Sequence, residues 1–146
     1  LIKVTHKIML KEILAISGKS GLFKFISSSP KIVIVESLAD KKRTQVRTDA
    51  KVISLGDIAI YTDEEEIPLS KVLNQMKENA GGKPTINHKE SDEKIREVFE
   101  KALPNYDRDR VYLSDMRKVV LWYNQLCENN MLDFTEEEEN ETSSAE

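Results

Sequence analysis

The five glycines and four prolines of this chain stand only at the edges of patterned segments, and that placement limits what each segment can become. Gly18 and Gly21, Pro30, Gly56, Pro68, Gly81-Gly82, Pro84 and Pro104 mark places where a positive φ or a missing N–H is tolerated. Between the early breaks the runs are short and rich in β-branched and aromatic residues. Leu22-Phe23-Lys24-Phe25-Ile26 reads as a strand, Ser27-Ser28-Ser29-Pro30 as a turn, and Ile32-Val33-Ile34-Val35-Glu36 as a second, buried strand. Ala39-Asp40-Lys41-Lys42 has turn character and Arg43-Thr44-Gln45-Val46-Arg47 alternates like an exposed third strand. Val52, Ile53 and Leu55 lead through Gly56-Asp57 into a fourth, Ile58-Ala59-Ile60-Tyr61. Short strands with no helix between them imply an antiparallel meander or a small barrel.

The period then changes. Leu69, Val72, Leu73 and Met76 recur at helical spacing behind Pro68 and the acids Asp63 to Glu66. Ser91 offers an N-cap to a stripe of Ile95, Val98, Phe99, Ala102 and Leu103 that stops at Pro104. Ser114 and Asp115 offer a second cap before Met116, Val119, Val120, Tyr123 and Cys127. Leu121, Trp122 and Leu126 widen that face beyond what one partner surface covers. The expected fold is α+β: a small SH3-like or Tudor-like antiparallel β-barrel with a closing helix over residues 9–79, a linker over 80–88 and a helical pair over 89–134. Residues 1–8 carry no Met and read as upstream or added sequence before a start at Met9. Residues 135–146 hold six Glu and no large apolar side chain, so they read as a disordered acidic tail.

Charge and composition narrow the function classes. Residues 1–62 carry a net +6, residues 63–134 a net −4 and the tail −6, within an overall −4. Apolar runs such as Ile32 to Val35 are far below the roughly 18 to 20 residues that a membrane helix needs. Lys11 and Glu12 interrupt the one candidate stretch for an export signal, and the single Cys127 excludes an internal disulfide framework. Cytoplasmic residence is the expectation.

Catalytic and metal chemistry find little support. Ser17-Gly18-Lys19-Ser20-Gly21 ends like a phosphate-binding loop, but Ile13 stands where its first glycine belongs, and a strand follows where a helix is required. Asp107 and Asp109 begin like a calcium loop, yet Tyr112 and Lys118 occupy the positions of its Gly and Glu, and the alternating Arg108 and Arg110 argue for a salt-bridged turn. His6, His88 and Cys127 lack zinc spacing and are not joined into a nucleophile–base pair. No cofactor, metal or catalytic residue is expected, and the chain reads as a non-enzymatic binding protein.

Two binding surfaces are candidates. Tyr106, Tyr112, Trp122 and Tyr123 form an aromatic group in the helical half suited to anchoring a protein partner. Lys41, Lys42, Arg43 and Arg47, with the neighbouring phenylalanines of the barrel, are suited to RNA or a ribosomal surface, although a pI near 5.4 argues against a general nucleic-acid binder. A protein-interaction adaptor or regulator is therefore the leading expectation, with the RNA- or ribosome-associated module second. Met9 to Phe23, Val35-Glu36-Ser37-Leu38, Ile58 to Thr62, Val111 to Asp115 and Trp122-Tyr123-Asn124 together resemble a family of small Bacteroidetes proteins made of two domains of unknown function. That resemblance implies a bacterial setting and carries over no activity, cofactor or site residue.

Overall fold

In the computed structural model, which describes residues 9–132, five strands form one antiparallel sheet. The expectations for residues 1–8 and for the acidic tail fall outside the described residues. The strands are β1 (Ile13–Ile16), β2 (Leu22–Ser28), β3 (Ile32–Ser37), β4 (Arg43–Arg47) and β5 (Val52–Ser54), in the order β4-β3-β2-β1-β5. Alternation sorts their side chains onto two faces. Leu14 lies opposite Phe23 and Ile16 opposite Val52, and these join Val35 and Val46 in a small core of their own. Ile13 and Leu22 point the other way, into the main core shared with the helices. Sheet and turn residues alone bury the smaller core, so the sheet curls around it, and a register shift between Phe25 and Ser27 adds to that coiling.

The curl stops short of closure. The expected SH3-like or Tudor-like barrel is not formed; the sheet is open, with β4 and β5 as its two edges. The reason lies in the chain after β5. That strand is three residues long and turns into a 3-10 turn, Leu55–Asp57. The next strand, β6 (Ala59–Tyr61), pairs with β7 (Glu66–Pro68) as a separate ribbon and never reaches β4.

Three helices cover the inner face: α1 (Leu69–Ala80), α2 (Asp92–Ala102) and α3 (Leu113–Glu128). Helix α1 ends where Gly81 takes φ +66° and the Gly82 amide donates to Lys77 O at 2.9 Å, which satisfies a carbonyl of the last turn. Ser91 caps α2 by accepting from the Lys94 amide, as its sequence implies. Helix α3 starts slightly earlier than Ser114 and Asp115 suggest: Asp115 lies inside its first turn and accepts from the Tyr112 amide at 2.9 Å. Its wide face packs on α2 and on the sheet together, so Met116, Val119, Val120, Tyr123 and Leu126 are all buried in one cluster with Leu22, Leu38 and Leu55. Each such side chain contributes roughly 1.5–3 kcal/mol by leaving water.

Residues 82–90 carry no regular structure and are held by polar groups of α3. Tyr123 OH donates to Lys83 O at 2.8 Å, Asn124 accepts from Thr85 N at 2.8 Å and donates to Ile86 O at 2.9 Å, and Arg117 donates to the carbonyls of His88 and Glu90 at 2.8 and 2.7 Å. A second tether joins α3 to the sheet, where Gln125 Oε1 accepts from the Leu22 amide at 2.8 Å.

Candidate functional site

Edge strand β5 leaves an apolar side chain in water beside α3. Ile53 pairs with Ala15 and so faces the helices, yet it is 53% exposed because no helix reaches over the sheet edge. Two adjoining cavities fill this gap. One, of about 450 Å³, lies between α3 and the Ser17–Gly21 turn that joins β1 to β2; the other, of about 300 Å³, lies between β5, β6 and the first turns of α3. Ile53, Ile58, Lys118 and Trp122 line both, which makes them one continuous groove. Its position follows from topology: a short last strand ends the sheet, and the ribbon that follows turns aside.

The groove's two ends differ in charge. Lys19, Lys51 and Lys118 line the larger cavity, and no acidic residue does. Among the described residues none of these lysines has an ion pair. At the smaller cavity, the Arg110 guanidinium lies 3.9 Å over the Tyr61 ring and is held by Asp107 at 2.9 Å. Hydrogen bonding from Arg110, and then from the Asp109 amide, holds the Asp107 carboxyl below its ordinary value. That loop is the salt-bridged turn that its alternating charges imply.

The four aromatic candidates do not share a surface. Tyr123 is fully buried and Tyr106 nearly so, the latter packed edge-on against Phe99 at 5.3 Å with Arg108 over its ring. Tyr112 is 62% exposed at the start of α3. Trp122 is 9% exposed and forms the floor between the two cavities. The basic candidates lie at the other edge of the sheet, on and before β4. Arg43 pairs with Glu36 at 3.2 Å, Arg47 with Asp49 at 2.8 Å, and Lys41 donates to Asn129 at the end of α3. Lys42 is exposed. The thiol of Cys127 donates to Gly82 O at 3.4 Å, and burial pushes it above its ordinary pKa, away from thiolate character. Among the described residues no group of three or more His, Cys, Asp or Glu could hold a metal ion.

Sequence reasoning missed Ile53, Ile58, Tyr61, Arg110 and Lys118 as a set. They come from two stretches far apart in the chain, 53–61 and 110–118, and each alone reads as an ordinary strand or surface residue. The hydrophobic Ile53 in a strand too short to be central was the one available signal.

The buried phenol of Tyr123 gives a first test of this geometry. Desolvation raises its pKa from 10.0 to about 12. An acid held protonated in the folded state binds its proton more tightly than the unfolded chain does, so the contribution of Tyr123 is constant below pH 10 and falls between pH 10 and 12 by about 1.4 kcal/mol per pH unit. Chemical unfolding across that window should show the decline, and Tyr123→Phe should remove it.

The comparisons with known proteins divide the chain in two. Residues 10–55 match a domain of unknown function (DUF5606), and residues 58–126 match another (DUF6852). A solution NMR structure of a structural-genomics target from Bacteroides vulgatus is 49% identical, covers 83% of this chain and 87% of its own, and superposes with a TM-score of 0.69. No curated protein matches the chain.

Proposed function

The chain belongs to the family of Bacteroidetes proteins that join these two domains of unknown function, and from its groove we propose that it is a cytoplasmic protein-interaction adaptor. The occupant is an extended segment of a partner protein. Its apolar side chains cover Ile53 and Ile58 against Trp122, and an anionic residue meets Lys19, Lys51 and Lys118. A single observation carries this reading: a continuous groove, apolar along its floor and basic at one end, at a sheet edge that leaves Ile53 in water. Trp122, from the aromatic set, is the residue that contributes. No described helix is long and apolar enough to cross a membrane. The RNA reading has weaker support, because Lys41, Arg43 and Arg47 already have protein partners and lie at the far edge of the sheet.

The test is site-specific photo-crosslinking in living bacteria with a photoreactive phenylalanine at position 53. The expected result is a discrete adduct that survives nuclease, is destroyed by protease and disappears with Ile58→Glu. A nuclease-sensitive adduct, or equal labelling from position 31 away from the groove, would favour the RNA module or no partner at all.

A further inference from the structure

We infer that the basic end of the groove recognises a phosphate monoester, carried by a side chain of the segment that the groove binds. The identity of the carrier rests on the adaptor reading; the anion site rests on its own geometry. Three elements each bring one lysine to the larger cavity: Lys19 from the β1–β2 turn, Lys51 from the turn before β5, and Lys118 from α3. The remaining residues of this cavity's wall are apolar, serine or glycine, and the groove's Asp115 lines only the adjoining smaller cavity, which Lys118 shares.

The turn adds donors to the charges. Gly18, Ser20 and Gly21 line the same cavity, and their amides form no hydrogen bond to any described residue. Ser17 and Ser20 also line it. The backbone is tied down beneath them, with the Ser17 amide donating to Lys51 O at 3.0 Å and the Lys19 amide to Ile16 O at 3.0 Å. The first of these bonds also fixes the two lysine-bearing turns against each other.

Charge count favours a phosphate over a carboxylate. A carboxylate brings one negative charge and two oxygens, which leaves most of three lysines unmatched. A phosphate monoester brings about −1.5 to −2 charges at neutral pH and three strong acceptor oxygens. The cavity is also larger than a single oxyanion needs. Its far wall is Ile53, Ile58, Leu121 and Trp122, so the ligand has an apolar body attached to its anionic head. A nucleotide loop is a poor description of this site: the turn enters strand β2, so no helix dipole is aimed at the anion.

The probes are phenyl phosphate, phenylacetate and inorganic phosphate, each titrated into the full chain and read by the fluorescence of Trp122, the sole tryptophan. Phenyl phosphate is expected to bind with a Kd on the order of 1 mM or below. Phenylacetate, with the same ring and one charge, should bind at least tenfold more weakly, and inorganic phosphate should also be weaker for want of the ring. Lys19→Ala with Lys51→Ala should erase the preference for phenyl phosphate. Both side chains are exposed and lack ion pairs among the described residues, so the melting temperature should not change. Equal affinity for phenylacetate, or phosphate binding that survives the lysine changes, would overturn the inference. The two readings fail separately: no phenyl phosphate binding beside a position-53 protein adduct removes the phosphate alone, while phenyl phosphate binding without that adduct leaves a small-molecule site and removes the partner segment.

Discussion

Tyr123→Ala is expected to destabilise the protein by about 3–5 kcal/mol, the range for deleting a large aromatic from a packed core. Tyr123 is fully buried in the cluster that joins the sheet to the helices, and its hydroxyl donates to Lys83 O at 2.8 Å. The alanine variant therefore loses the ring's burial, opens a cavity and releases one of the tethers on residues 82–90. Tyr123→Phe keeps the ring and removes only the hydrogen bond, so its cost should be nearer 1 kcal/mol. Denaturant unfolding of both variants gives the comparison, with the slope unchanged if only stability has moved. Two nearly equal, small effects would mean that the ring is not part of the core, and would return Tyr123 to the exposed aromatic group.

Gly21→Ala is expected to cost about 2–5 kcal/mol, far more than a surface glycine ordinarily would. Two effects add. Gly21 holds φ +84°, where a Cβ costs roughly 1–2 kcal/mol. That Cβ would also lie 2.9 Å from Gln125 Nε2 and 3.2 Å from its Oε1. The amide is the far end of a flexible side chain and can swing aside, but doing so breaks its 2.8 Å bond to the Leu22 amide, and leaving that donor unmatched costs about 1–3 kcal/mol. The double variant Gly21→Ala/Gln125→Ala should then cost less than the two single changes summed. Simple additivity in thermal unfolding would show that the glycine acts through its own backbone alone.

Local signals carried much of the architecture. Strands β2, β3 and β4, the end of α1 at Gly81, the Ser91 cap of α2 and its stop before Pro104 all lie where turn chemistry and periodicity put them. These are decided within a few residues. Strand β1 was missed because Ile13-Leu14-Ala15-Ile16 is apolar at every position and so lacks the alternation of a surface strand; it is buried on both faces. Strand β7 was hidden in the acidic approach to α1, where Glu66–Pro68 pairs only because β6 turns back to it. Closure of the sheet was out of reach for a similar reason, since it depends on whether β5 continues toward β4, a long-range choice that no local pattern records. The groove is the most extreme case, because its floor and its lysines are adjacent only after folding.

The two family matches meet at residues 56–57, inside the 3-10 turn Leu55–Asp57, and that seam divides the matches without dividing the interior. Leu22, Leu38 and Leu55 from the first match lie in one cluster with Leu73, Phe99 and Tyr123 from the second. Close packing leaves such a cluster little slack: a methylene lost on one side of the seam is a void unless the other side grows to fill it. The two sequences are thus obliged to drift together, each constrained by volumes that the other sets, and neither can be exchanged for a distant counterpart without refitting the surface it meets.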